Sequence, residues 1–180
     1  MKSMMTVLLG LMMSLYACQG NTENSASEEI QDPTTKAREE IKALEAVLFE
    51  ENSEELDTSL AEKTILAYKN YVRMFPRDEH APEYLFKAGD LTRGLGDLWG
   101  ATKLFNMVST NYPDNPLAPQ ALFFQGLCFQ DLGQTEYARY SFEDIINKYP
   151  QHELVSDATA MLQMLEVGEE EFYDTNINDQ

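Results

Sequence analysis

Apolar and polar residues follow a helical period along the middle of the chain, and the pattern recurs every 37 residues. Three aromatic–proline pairs mark this recurrence, Phe75-Pro76, Tyr112-Pro113 and Tyr149-Pro150. Before the last two pairs, apolar residues recur at the i, i+3, i+4 and i+7 spacing of one helix face. These stripes comprise Ala101, Leu104, Phe105 and Val108 in one unit, and Ala138, Phe142 and Ile145 in the next. The pattern therefore predicts an internal repeat built from helices.

Proline and glycine residues divide each unit into two helices. The proline after each aromatic residue ends one helix. Pro82 and Pro119 stand in the first turn of the following helix, where a missing N–H removes no hydrogen bond. Gly96 and Gly133 fall between the paired helices, where a left-handed residue commonly ends a helix. Each unit is therefore predicted to be a helical hairpin.

Two further glycines lie inside predicted helices rather than between them. Gly89 and Gly126 occupy equivalent positions of their units. A glycine in a helix interior costs about 1 kcal/mol relative to alanine, so its retention needs a reason. We expect the partner helix to approach closely at these positions, with Ala101 and Ala138 as its small counterparts.

This arrangement resembles the tetratricopeptide repeat. When the two interior glycines take the eighth place of a unit, the small residue, the aromatic residue and the proline of the motif all fall in register. The matching residues are Gly89, Ala101, Phe105 and Pro113 in one unit, and Gly126, Ala138, Phe142 and Pro150 in the next. The resemblance implies an all-α, tetratricopeptide-like solenoid of helical hairpins, with about three helix pairs plus a capping helix, over residues 36–167.

The two ends of the repeat domain are predicted to be incomplete units. The first helix is expected from Thr35 to about Leu56, and the capping helix from Val155 to Val167. The buried stripe of the first helix is predicted to be Ile41, Leu44, Val47 and Leu48. The inward face of the capping helix is predicted to be Ala158, Met161, Leu162 and Leu165.

The residues before the repeats resemble a bacterial lipoprotein leader. Lys2 supplies a positive charge, residues 4–15 form an apolar run, and Leu15-Tyr16-Ala17-Cys18 resembles a lipobox in which Cys18 carries the lipid. We therefore predict a signal peptide at 1–17, a disordered polar tether at 18–35 and a lipid anchor in the membrane. The acidic residues 168–180 are predicted to be a disordered tail.

Charge and motifs narrow the function classes. The chain has 13 Lys and Arg against 31 Asp and Glu, a formal net charge of −18, which disfavours nucleic acid as a partner. Two cysteines and two histidines at scattered positions offer no zinc motif. Catalytic motifs and phosphate-binding loops are also missing from the sequence. We expect no catalytic residues, no metal and no cofactor, and therefore no enzyme. Cys128 is predicted to be a buried apolar residue.

The tetratricopeptide resemblance also implies a binding groove along the first helix of each unit. Its second, fifth, ninth and twelfth places are Glu83, Phe86, Asp90 and Arg93 in one unit, and Gln120, Phe123, Leu127 and Gln130 in the next. Phe86 and Phe123 are candidate anchors for a partner's segment. The alternative is that the N-terminal or the capping helix folds over both rings and makes them part of the core.

Residues Tyr112 to Leu122 carry the phrase YP-x-N-x-x-A-x-x-A-L, which resembles two families of envelope proteins. The outer-membrane assembly lipoprotein family BamD implies a scaffold in β-barrel protein assembly, in the bacterial cell envelope and facing the periplasm. The division coordinator family CpoB implies a link to cell-wall synthesis. A periplasmic module that binds peptides or glycans is a third hypothesis. The expected partners are other envelope proteins, together with the membrane through the lipid anchor, and the oligomeric state is left open.

Overall fold

A computed structural model describes residues 32–50 and 57–178 of the chain, with side chains as far as Val167. These ranges contain seven α-helices and no strand: α1 (Pro33–Leu48), α2 (Thr58–Met74), α3 (Ala81–Gly94), α4 (Leu98–Asn111), α5 (Leu117–Asp131), α6 (Thr135–Lys148) and α7 (Leu154–Asn178). Consecutive helices pack against each other, so that α1/α2, α3/α4 and α5/α6 form hairpins and α7 closes the stack. The predicted all-α solenoid of three helix pairs plus a capping helix is confirmed.

The outer limits of the helical stack differ from the predicted ones. The predicted signal peptide, Cys18 and most of the tether lie outside the described residues. Helix α1 begins at Pro33, before the predicted start, because the Asp32 carboxylate caps it by accepting the Thr35 N–H at 3.3 Å. Helix α7 continues to Asn178 through most of the predicted acidic tail, a segment rich in glutamate and free of proline. No helix in the described ranges is both long and apolar enough to span a membrane.

Proline and glycine end the helices where the sequence predicts. Helices α2, α4 and α6 each stop one residue before the aromatic–proline pair, and α3 carries Pro82 in its first turn. Gly96 and Gly133 have φ values of +83° and +67°, the left-handed conformation that favours glycine. These local rules set the boundaries of the hairpins independently of the core.

The aromatic–proline pairs also join neighbouring units. The Tyr112 hydroxyl donates a hydrogen bond to the Pro76 carbonyl oxygen at 3.0 Å, and the Tyr149 hydroxyl donates to the Pro113 carbonyl oxygen at 2.9 Å. Burial raises the pKa of both tyrosine hydroxyls, which favours the protonated, hydrogen-bond-donating form. Each unit is thus fastened to the turn that ends the unit before it.

The interior glycines make room for aromatic rings. A Cβ added at Gly89 would lie 2.8 Å from Phe105 Cε1, and one added at Gly126 would lie 2.6 Å from Phe142 Cε1. Both phenylalanines are completely buried, on the second helix of the same hairpin. The expected close approach is present, but the counterpart is the ring and not Ala101 or Ala138, because the flat ring lies directly over the missing side chain.

The core follows the predicted stripes except at one position of α1. Ile41 and Leu48 are buried and Leu44 is half-buried, whereas Val47 is 59% exposed. Helix α1 lies at the end of the stack and packs mainly on α2, which covers a narrower face than two neighbours would. On α7 the predicted inward face is confirmed, since its four residues all join the core of the last hairpin: Ala158, Met161, Leu162 and Leu165.

A polar contact attaches α1 to the stack. The Glu45 carboxylate accepts hydrogen bonds from the Tyr68 hydroxyl at 2.7 Å and from Lys87 Nζ at 3.0 Å. Lys87 also pairs with Glu83 at 2.8 Å. Burial works against the Lys87 charge, but the hydrogen bonds to Glu83 and Glu45 outweigh it and raise the pKa of this ammonium group. The contact therefore ties α1 to both α2 and α3 as an ion pair.

Candidate interaction surfaces

The charged residues of the predicted first-helix groove form ion pairs within α3. Glu83 binds Lys87 of the same helix, and Arg93 binds Asp90 at 2.9 Å. The Arg93 guanidinium carbon also lies 5.1 Å from the centre of the Phe124 ring, within the range of a cation–π contact. Gln120, Leu127 and Gln130, the polar and aliphatic members on α5, are half-buried. The binding role of this groove remains a prediction.

The two candidate anchors, Phe86 and Phe123, are both half-buried by aromatic neighbours. The Phe86 ring centre lies 5.5 Å from that of Phe105 and 5.7 Å from that of Phe124. The Phe123 ring centre lies 5.6 Å from that of Phe142. Aromatic packing at these distances fixes the rings within the hairpins. These ring contacts come from α4, α5 and α6.

Large apolar side chains are exposed on the opposite side of the stack, along the second helices. We call this the second-helix face and define it by six residues: Leu66 and Met74 of α2, Trp99 and Met107 of α4, and Tyr137 and Tyr140 of α6. Trp99 is 49% exposed and Tyr140 is 61% exposed. Clustered exposed apolar side chains of this size are typical of interaction sites.

A groove of about 690 Å³ crosses this face between α4 and α6, with α5 as its floor. Trp99, Phe129 and Tyr137 form one end of the groove, and Pro113, Lys148 and Tyr149 line the other end. Its floor is polar: Thr102, Gln125 and Ser141 are buried there. A concave site with aromatic walls and a few converging polar groups is the usual form of a binding pocket.

The groove between α4 and α6 can be compared with the equivalent groove of the preceding repeat unit. The equivalent groove between α2 and α4 holds two pockets of about 460 and 550 Å³, with Leu104 in the lining of both. One repeat period separates Gln125 from Ala88, and Ser141 from Leu104. Thr102, Gln125 and Ser141 each donate a side-chain hydrogen bond to a backbone carbonyl oxygen, which offsets the cost of burying them.

One stretch of the chain supports the repeat assignment directly. Residues 120–152 match the family model described as Tetratricopeptide repeat. The chain is also similar to a solved structure described as "MamA RS-1 ArsTM double mutant", with 13% sequence identity and a TM-score of 0.32, covering 77% of this chain and 97% of that chain. A similarity at this level does not define a shared function. None of the curated proteins compared with the chain matches it.

Helix α4, the turn that follows it and most of α5 are almost free of charge. Between Leu98 and Gln130 the only charged residues are Lys103 and Asp114, in a chain of which 24% is charged. Depletion of charge together with enrichment of aromatic residues is the composition of protein–protein interface cores. This composition and the exposed Trp99 ring coincide on α4, at the centre of the second-helix face.

Within the described ranges, the Cys128 thiol is buried in the core and the two imidazoles, of His80 and His152, contact their own turns. Cys128 is completely buried, as predicted, and burial raises the pKa of its thiol to about 11, so the reactive thiolate is scarce at neutral pH. His80 Nδ1 lies 3.0 Å from Asp78, and His152 Nδ1 accepts the Leu154 N–H at the start of α7. Among residues 32–50 and 57–167, no three His, Cys, Asp or Glu side chains are placed to hold a metal ion.

Sequence reasoning placed the candidate site on the first helices and missed the second-helix face. The missed residues lie beside the predicted apolar stripes, where a large aromatic side chain has no role in the hairpin core. Trp99, Tyr137 and Tyr140 stand at such positions, and the charge-depleted stretch begins at Leu98, beside Trp99. Off-stripe aromatic residues next to a charge-depleted helix are the signal that points to this face.

Proposed function

We propose that the chain is a non-enzymatic, lipid-anchored scaffold of the bacterial cell envelope that binds another protein through its second-helix face. The observation that carries the proposal is the exposed apolar surface of α2, α4 and α6, which includes the charge-depleted helix α4. Helical-repeat stacks present extended surfaces for binding, and this one concentrates aromatic residues there.

The location is proposed from the leader sequence. The apolar run at residues 4–15 and the lipobox-like residues ending at Cys18 support export and lipidation. The phrase from Tyr112 to Leu122 supports a BamD-like role in β-barrel protein assembly at the outer membrane, facing the periplasm. A CpoB-like role in cell-wall synthesis is the alternative that rests on the same phrase.

A photo-crosslinking amino acid at Met107 should capture a partner protein in intact cells. Met107 is 41% exposed on the second-helix face. The matched control carries the same amino acid at Asp90, which is exposed on α3 in the predicted first-helix groove. We expect crosslinked adducts from Met107 at several times the yield from Asp90, read by gel shift and mass spectrometry.

The identity of the captured protein separates the finer roles. Barrel-assembly components support the BamD-like role, and cell-wall synthases support the CpoB-like one. Equal or higher yields from Asp90 would indicate that the partner binds at the first-helix groove instead. The absence of adducts from both positions would contradict a protein-binding scaffold.

Cys18→Ala should move the protein from the detergent-rich phase to the aqueous phase when cell extracts are separated in Triton X-114. The variant lacks the thiol that would carry the lipid. Cys128→Ala is the matched control and should stay in the detergent phase, because Cys128 is buried in α5. Retention of Cys18→Ala in the detergent phase would overturn the lipid anchor.

A further inference from the structure

We propose that the groove between α4 and α6 binds an extended segment of a partner polypeptide, with one aromatic or large aliphatic side chain beside several uncharged polar residues. This inference rests on the proposed protein-binding function and specifies the chemistry of the segment that the second-helix face takes. Three features of the groove determine that chemistry: an aromatic end, a polar floor and a nearly neutral rim.

The aromatic end of the groove indicates that the bound segment carries one large apolar side chain. The ring centres of Trp99 and Phe129 are 6.0 Å apart with their planes at 77°, and those of Phe129 and Tyr137 are 5.3 Å apart. The three rings thus form an apolar corner that opens into the groove. An aromatic or large aliphatic side chain placed there buries apolar area against several rings at once, as interface anchors do.

The polar floor indicates that the groove binds the backbone of the segment. Gln125 is only 8% exposed, and both of its side-chain hydrogen bonds are long: Nε2 donates to the Thr102 carbonyl oxygen at 3.4 Å, and Oε1 accepts from Ser141 Oγ at 3.4 Å. A primary amide has two N–H donors and two acceptor lone pairs, so each of these atoms retains capacity for one more hydrogen bond. A peptide N–H and C=O present the matching donor and acceptor.

The same floor favours an extended segment over a helix. A helix satisfies its own backbone groups along its length, so it offers no free backbone N–H or C=O to Gln125. An extended or polyproline II segment leaves these groups available. From Trp99 to Thr110, helix α4 is roughly 16 Å long at 1.5 Å per residue, which corresponds to about five extended residues.

The nearly neutral rim of the groove indicates that the bound segment is uncharged. Lys148 Nζ pairs with Asp144 at 2.7 Å, so these two charges compensate each other. Lys103 adds one positive charge to the rim. A groove with so little net charge, on a chain of net charge −18, does not select strongly for acidic or basic residues. Uncharged polar residues suit its floor and rim.

A random heptapeptide library displayed on phage, selected against the purified full-length protein, tests the inference. Enriched peptides should contain one aromatic or large aliphatic residue beside uncharged polar residues. Trp99 is the only tryptophan of the chain and lies in the groove, so its fluorescence reports binding of synthetic copies. Replacing the aromatic or aliphatic residue of a peptide by alanine should raise its Kd at least tenfold.

Two variants that copy the preceding unit localise the binding. Tyr140→Lys and Gln125→Ala introduce the residues found one repeat earlier, at Lys103 and Ala88. Each should raise the Kd at least tenfold. Tyr140 is exposed, so its replacement tests the groove even where Gln125→Ala impairs folding. Val47→Ala, at an exposed position of α1 away from the second-helix face, is the matched control and should leave the Kd within twofold.

Three results would overturn the inference. The first is that the library yields no enriched peptides. The second is that the enriched peptides bind the Tyr140→Lys variant as tightly as the native protein. The third is that oligomers of N-acetylglucosamine change Trp99 fluorescence while no peptide does. The last result identifies a glycan site. If crosslinking from Met107 still captures a partner in any of these cases, the scaffold function stands and only the groove inference fails. Peptide binding without any captured partner would instead support the groove inference and contradict the scaffold function.

Discussion

Replacing Gly126 with leucine should lower the melting temperature of the protein by roughly 10 °C. Even a Cβ at this position would lie 2.6 Å from Phe142 Cε1 and 2.7 Å from Cζ, and the Phe142 ring is fully buried. The ring therefore has to move within a packed core. Overpacking of this kind costs about 3 kcal/mol or slightly more, and each kcal/mol corresponds to about 3–4 °C in a domain of this size.

Gly94→Leu is the matched control for this substitution. Gly94 is the last residue of α3, it is exposed, and a Cβ added there meets no atom within 4 Å. Leucine is also a better helix former than glycine, so the control should melt at the native temperature or slightly above it. Thermal unfolding followed by circular dichroism measures both variants. A change below one degree for Gly126→Leu would mean that the repeat register is wrong.

Phe105→Ala should destabilise the protein by about 4 kcal/mol, the typical cost of removing a buried aromatic ring. Phe105 is completely buried at the centre of the stack. Its ring covers Gly89 of α3 and packs against Phe86 of α3 and Phe124 of α5, so its removal loosens two hairpins at once. Chemical denaturation with urea should show a lower midpoint. The free energy of unfolding of Phe129→Ala, at the edge of the groove, should fall by less than half as much because Phe129 is only half-buried.

A double-mutant cycle tests whether the ring and the glycine act as a pair. Gly89→Ala should cost about 2 kcal/mol in the native background, where the new Cβ would lie 2.8 Å from the Phe105 ring. In a Phe105→Leu background the smaller and more flexible side chain leaves space, and the cost should fall by at least half. Equal costs in both backgrounds would show that the two positions are energetically independent.

The fold was predictable because short-range rules fix it. Prolines and left-handed glycines act within a few residues of their own position, so the turns at Gly96 and Gly133 could be assigned without knowledge of the core. The apolar stripes then determined which faces meet. What failed depended on neighbours: Val47 is exposed because α1 lies at the end of the stack, a position that its own stripe does not encode.

The candidate site was harder to predict than the fold. Whether a ring is exposed depends on which helix lies across from it, and the repeat alone does not give that information. Phe86 and Phe123 occupy equivalent positions and are half-buried by rings of other helices. The departure of Gln125 from Ala88 was visible in the aligned units. Its meaning depends on the structure, which places this amide at the bottom of an open groove.

The tyrosine–proline hydrogen bonds have a consequence for how the array is extended. Tyr112 and Tyr149 fasten successive hairpins with the same bond, to Pro76 and Pro113 respectively. The donor and the acceptor of this hydrogen bond both belong to the recurring 37-residue segment. Duplicating that segment in frame therefore supplies each new junction with its own donor and acceptor. The length of such a protein can therefore change by whole units without any newly invented contact between them.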